Sequence, residues 1–173
     1  MTAERIMAAL AKADLSHLGL TQINRESEIG LIHSNWPGPC PIGAADMSYY
    51  FSKSLNVPLS EAVERAIDAL KSRGFGILTR IDVQSVLKDK IGVDFHPYVI
   101  LGACNPRMAH QALQAEDKIG TMLPCNVIVQ HLNGKTEVAA VDPVASMQAI
   151  QNPALEAIAV KVREELKAAV QAI

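Results

Sequence analysis

Two Cys-Asn pairs, Cys104-Asn105 and Cys125-Asn126, are the residues of this 173-residue chain best equipped for chemistry. A thiolate is a nucleophile and a ligand for soft metals, and the neighbouring amide offers both a donor and an acceptor. Cys104 closes an apolar run and is followed by Asn105-Pro106, the residue types of a helix N-cap and first helical position. Free backbone N–H groups and the helix dipole at such a place favour negative charge, which would lower a thiol pKa and hold an anion. Cys125 follows Pro124 at the head of another apolar run. If the two strand ends lie together, the thiols would chelate a soft metal or form a redox pair. The plainer readings weigh more. A free cysteine is most often a small buried hydrophobe, Asn105 serves as a helix cap, and Asn126 ties down a strand entrance. No Cys-x-x-Cys or His-x-x-His spacing raises the odds of chemistry.

Further polar residues stand near these pairs in sequence. His110 lies on the helix that follows Asn105 and is placed to lean toward Cys104 as a base or ligand, although a solvated helix histidine is the commoner case. Asp94, His96 and Tyr98 alternate on the approach to an apolar run and put polar groups on one side of it, as a strand-edge surface also would. His33, Trp36 and Cys40 share a tract with Pro37, Pro39 and Pro41, which reads as a tether before it reads as a binding patch. Phosphate-binding glycine loops, a serine elbow and a zincin helix are all missing from the sequence.

Positioning these residues requires an alternation of strands and helices. Residues 2–13 form an amphipathic stripe that stops by Gly19, and periodicity is then lost through residue 46. The Tyr-Tyr-Phe cluster predicts a strand over residues 48–54. Ser60 is the expected N-cap of a helix with Val63, Ala66, Ile67 and Leu70 on one face and Gly74 at its end. A strand over residues 75–81 leads to Asp82, the cap of a helix whose stripe is Val83, Val86, Leu87 and Ile91 and whose stop is Gly92. Residues 97–103 form a buried strand that delivers Cys104 to the helix beginning at Asn105. A strand over residues 122–130 pairs antiparallel with one over residues 136–141 through the Asn133-Gly134 turn. Asp142-Pro143 opens a short helix. Asn152-Pro153 opens the last one, striped by Leu155, Ile158, Ala159, Val162, Leu166 and Val170.

Composition narrows the field of functions. The length suits one domain with a core of its own, beside 49% hydrophobic and 20% charged residues. A net charge of −2 gives no positive field for a phosphate backbone, and 4% aromatics leave little to stack bases on, so a nucleic-acid partner is not expected. No long apolar run or leader pattern suggests a membrane, and three cysteines without a leader suit a reducing compartment, so the expected location is cytoplasmic.

Several segments together carry a family resemblance. Gly74-Phe75-Gly76-Ile77-Leu78-Thr79, Gly92-Val93-Asp94-Phe95, Tyr98-Val99-Ile100-Leu101-Gly102-Ala103-Cys104-Asn105-Pro106 and Ile119-Gly120-Thr121-Met122-Leu123-Pro124-Cys125-Asn126-Val127 occur in an order that resembles the domain of unknown function 302 family. With Asp142-Pro143 and Asn152-Pro153-Ala154-Leu155, the resemblance spans about residues 47–170. It implies an α+β domain with an antiparallel sheet, often a homodimer, and it transfers no catalytic residue, cofactor or metal.

The expectation is therefore an N-terminal helix and proline-rich tether over residues 1–46 and one α+β domain over residues 47–173. That domain has an antiparallel sheet of about five strands, helices packed on one face and a C-terminal amphipathic helix. Its expected role is a non-catalytic small-ligand-binding or interaction domain acting as a homodimer through its sheet or last helix. The candidate ligand-binding residues are Cys104, Asn105, His110, Cys125 and Asn126. The alternative is a metal-binding or sulfur- and redox-handling protein that uses Cys104 and Cys125 together.

Overall fold

The structure is a computed structural model that describes residues 48–173. The N-terminal helix and tether, with His33, Trp36 and Cys40, lie outside the described residues. The elements run β1 (Tyr50–Leu55), α1 (Leu59–Ser72), β2 (Gly76–Asp82), α2 (Val83–Ile91), β3 (Tyr98–Cys104) and α3 (Pro106–Ala115). A 3-10 segment (Asp117–Met122) then leads to β4 (Cys125–Leu132), β5 (Lys135–Val141), α4 (Pro143–Ser146) and α5 (Pro153–Ala172). All five strands join one sheet in the order β1-β5-β4-β3-β2, and every neighbouring pair is antiparallel.

The helices start and stop for local reasons. Asp82, Asn105, Asp142 and Asn152 each accept backbone N–H groups of the following turn through a side-chain oxygen, and proline sits in the first turn after the last three. Helix α1 departs from expectation. Its cap position is Pro58, without a side-chain cap bond, and Ser60 lies inside the first turn, because the fixed φ of proline presets the entry. The β4–β5 turn is the tight one expected, with Asn133 and Gly134 both at positive φ.

Register decides which side chains meet. Val99, Leu101 and Ala103 of β3 pair with Val129, Val127 and Cys125 of β4, and Val127 and Val129 pair with Ala140 and Val138 of β5. These residues form one face, and α1 and α5 pack on it through Val63, Ala66, Leu70, Leu166, Ala169 and Val170, all at most 1% exposed. Each buried valine or leucine of this set contributes roughly 1.5–3 kcal/mol relative to exposure, and each alanine less. Arg163 of α5 reaches the buried carboxylate of Asp142 at 3.0 Å and so fixes α5 against the end of β5.

The alternate residues, among them Tyr98, Ile100, Gly102, Asn126, Ile128, Gln130, Glu137 and Ala139, face the other way. Gly102 is required there: a Cβ would run into Thr79 Oγ1 and would lie 2.7 Å from Pro124 Cγ. Helix α2 is the unusual element. It leans on β2 and β3 yet fully buries none of its side chains: Val83 and Leu87 of its predicted stripe are half-buried, and Val86 and Ile91 are exposed.

Candidate functional site

Strand β3 ends at Cys104, and Asn105 turns the chain into α3. The Asn105 side-chain oxygen accepts from the backbone N–H groups of Arg107 (3.2 Å) and Met108 (3.3 Å). Its amide nitrogen stands against Gly74, where a Cβ would come within 3.1 Å, and the φ of +79° at that residue also demands glycine. The cap thus sits against the α1–β2 corner. It also takes up donors that an anion would need, so the expected anion cradle at this helix N-terminus is already filled by the protein's own side chain.

Cys104, Asn105 and Cys125 border one small cavity between the sheet end, α3 and α5, with Met108, Met147 and Leu155 among its other walls. The space is about 30 Å³, room for one or two waters, and its walls are almost wholly apolar. Cys125 lies on the helix-covered face opposite Ala103. The alternation of β3 carries Cys104 toward the opposite side, but at the strand's last residue it still borders the cavity and stands within electrostatic reach of the Cys125 thiol. Both thiols are free. Burial pushes Cys125 up to about 11, with a smaller contribution from Cys104, and burial also raises Cys104. The Cys104 thiol is thus raised where the helix dipole was expected to lower it, because burial among apolar walls penalises the thiolate.

Two of the expected site residues stand elsewhere. Asn126 pairs with Gly102 and is exposed on the opposite face of the sheet, because strand alternation separates it from Cys125. His110 is exposed on α3 and does not border the cavity. Met108 and Met147 are the residues that sequence reasoning missed. The first had a readable signal, since three residues past Asn105 is one helical turn along the same face. The second is brought in by the fold alone.

A second polar group lies on the face away from α1 and α5. Glu137 Oε2 accepts from Gln130 Nε2 at 2.8 Å, so Gln130 Oε1 faces His96 Nε2 at 3.2 Å and the imidazole donates from that nitrogen. The His96 ring lies 4.1 Å from that of Phe95 and 5.7 Å from that of Tyr98. Burial raises the Tyr98 phenol, helped by Tyr49 and Glu137. His96 and Tyr98 thus share one surface as expected, while Asp94 pairs with Lys88 at 2.7 Å. Among the described residues no group of three or more His, Cys, Asp or Glu side chains is arranged to hold a metal ion. None of the described helices is long and apolar enough to cross a membrane.

This sheet, its two covering helices and the Cys-Asn corner define a small α+β domain of a recognised type. Residues 51–173 match the family model of the domain of unknown function DUF302, and the chain belongs to that family. Its fold is similar to the crystal structure of an uncharacterized conserved DUF302 protein from Bacillus stearothermophilus, with a TM-score of 0.68 and 32% sequence identity over 72% of this chain and 97% of that one. No curated protein matches the sequence.

Proposed function

We propose that this chain is a non-catalytic binding domain that works as a homodimer, with the Cys104–Cys125 cavity as its ligand site. The observation that carries the pairing is the unburied apolar stripe of α2 and its neighbours. Leu78, Ile81, Val86, Ile91 and Val93 are each between 42% and 66% exposed, and all fall within one stretch of strand, helix and loop. Together they leave the equivalent of roughly two and a half whole aliphatic side chains in water, about 4–8 kcal/mol per protomer if covered. Apolar exposure concentrated in this way marks an interaction surface.

A second copy is the occupant that the surface favours. Strand β2 is an edge strand of the sheet, and a two-fold axis beside it would bring the same stripe of each copy onto the other. The stretch carries Arg80, Lys88 and Lys90 against Asp82, Asp89 and Asp94, so two copies meet without net repulsion. This reading narrows the expected contact, through the sheet or the last helix, to the β2 edge of the sheet together with α2. The stripe of α5 is spent on the core, where Leu155, Ala159, Leu166, Ala169 and Val170 are buried.

Light scattering at tens of micromolar should return a dimer, and the double substitution Leu78→Glu and Ile91→Glu should return a monomer with unchanged circular dichroism. A natural chain that is monomeric at that concentration removes the pairing. For the cavity, methyl methanethiosulfonate should label the half-buried Cys104 in the native protein within minutes and the buried, protonated Cys125 more slowly, faster as pH rises. Labelling only after denaturation would remove the ligand-site reading.

A further inference from the structure

The sulfur atoms of this domain are not spread through its core. The described residues contain three methionines and two cysteines, and four of these five, Met108, Met147, Cys104 and Cys125, border one small cavity at the end of the sheet. The fifth, Met122, is exposed. We infer that the cavity is a site for one soft monovalent cation, copper(I), bound by the thiolate of Cys125 and the thioethers of Met108 and Met147, with Cys104 at its mouth. The inference rests on the reading of this cavity as the ligand site.

Three features select that ion. Thiolate and thioether sulfur are soft donors that favour copper(I), whereas magnesium, calcium and manganese ask for oxygen. Zinc asks for a fuller set of thiolate, imidazole or carboxylate ligands, and no such group of three is arranged among the described residues. Charge points the same way. One thiolate and one copper(I) ion make a neutral pair, which suits walls such as Leu155 and Ala112, while a divalent ion on the same donors would leave a net charge in an apolar enclosure. Size agrees as well, because about 30 Å³ is room for a single ion.

The binding step balances without redox chemistry. The Cys125 S–H bond breaks, a sulfur–copper bond forms, one proton goes to solvent, and the thioether lone pairs donate without change of charge.

The test uses the full chain with Cys40→Ser to remove the remaining thiol, titrated anaerobically with copper(I) against bicinchoninate. One equivalent should bind. Cys125→Ala and the volume-conserving Met147→Leu should each weaken binding at least tenfold, while Met122→Leu should leave it unchanged. X-ray absorption of the copper-loaded protein should show sulfur neighbours alone. Binding equally tight in Met147→Leu and the parent, or nitrogen and oxygen neighbours at the metal, overturns the assignment. A protein that labels with methyl methanethiosulfonate but takes up no copper overturns the metal and keeps the ligand site. A protein that does neither loses both.

Discussion

Replacing Gly102 by alanine asks the most direct question of the sheet register. The new methyl group would meet Thr79 Oγ1 and would sit 2.7 Å from Pro124 Cγ, with Asn126 on the neighbouring strand directly opposite. Two effects compete. Overpacking of this kind costs about 1–3 kcal/mol. Restricting the unfolded chain by removing a glycine gives back about 0.4–1 kcal/mol. The clash involves proline carbons as well as a hydroxyl and should win, for a net loss of about 1–2 kcal/mol, or a melting midpoint lowered by roughly 3–12 °C. Urea and thermal unfolding of Gly102→Ala, Thr79→Ala and the double variant give a cycle. Thr79 is exposed, so Thr79→Ala alone should cost no more than about 0.5 kcal/mol. The double variant should recover at least about 0.5 kcal/mol of the Gly102→Ala loss. Gly102→Ala as stable as the parent, or strict additivity in the cycle, would refute the placement of Thr79 and Pro124 over β3.

Two further substitutions probe the Cys-Asn corner. Asn105→Ala removes the acceptor of two backbone N–H groups and should cost about 1 kcal/mol in urea unfolding, while Asn105→Asp, which keeps the acceptor, should cost less. Cys125 governs an alkaline loss of stability. Its folded pKa of about 11 lies above the ordinary thiol value of 9.0, so between those pH values the unfolded chain binds fewer protons than the folded one and stability falls as pH rises. In chelator-containing buffer the decline over that window should amount to roughly 1–3 kcal/mol and should shrink in Cys125→Ala. An unchanged slope would show that the thiol is not desolvated.

Much of this fold was legible in the sequence because its helix boundaries rest on strong local chemistry. Asp82, Asn105, Asp142 and Asn152 act as caps where their side chains find free N–H groups within the next turn, and proline in the first turn strengthens three of them. The Asn133-Gly134 turn is local in the same sense. Ser60 misled because Pro58, two residues earlier, set the same boundary. Family membership supplied the sheet, which pairwise periodicity could not order.

The candidate site was harder to read, since proximity there depends on pairing register and on elements far apart in sequence. A Cys-Asn repeat looks like a doubled motif, yet alternation puts Cys125 and Asn126 on opposite faces, and only the first residue of that pair borders the cavity. Met147 arrives from the far end of the hairpin and had no local signal. The stripe of α2 was visible as a pattern, but whether a stripe is covered by its own chain is a property of the finished fold.

The placement of β1 also bears on how the domain is made in a cell. Strands β2, β3, β4 and β5 pair with the strand next in sequence, but β1 pairs with β5, with Tyr50 opposite Val141. At ordinary synthesis rates the ribosome needs on the order of ten seconds to move from one partner to the other. During that interval Tyr49, Tyr50 and Phe51 form a nascent aromatic segment with no neighbour in the sheet, while β2 and β3 can already zip together. Addition of β1 is thus the slow closure of the fold, and the waiting strand is where a holding chaperone would gain its grip.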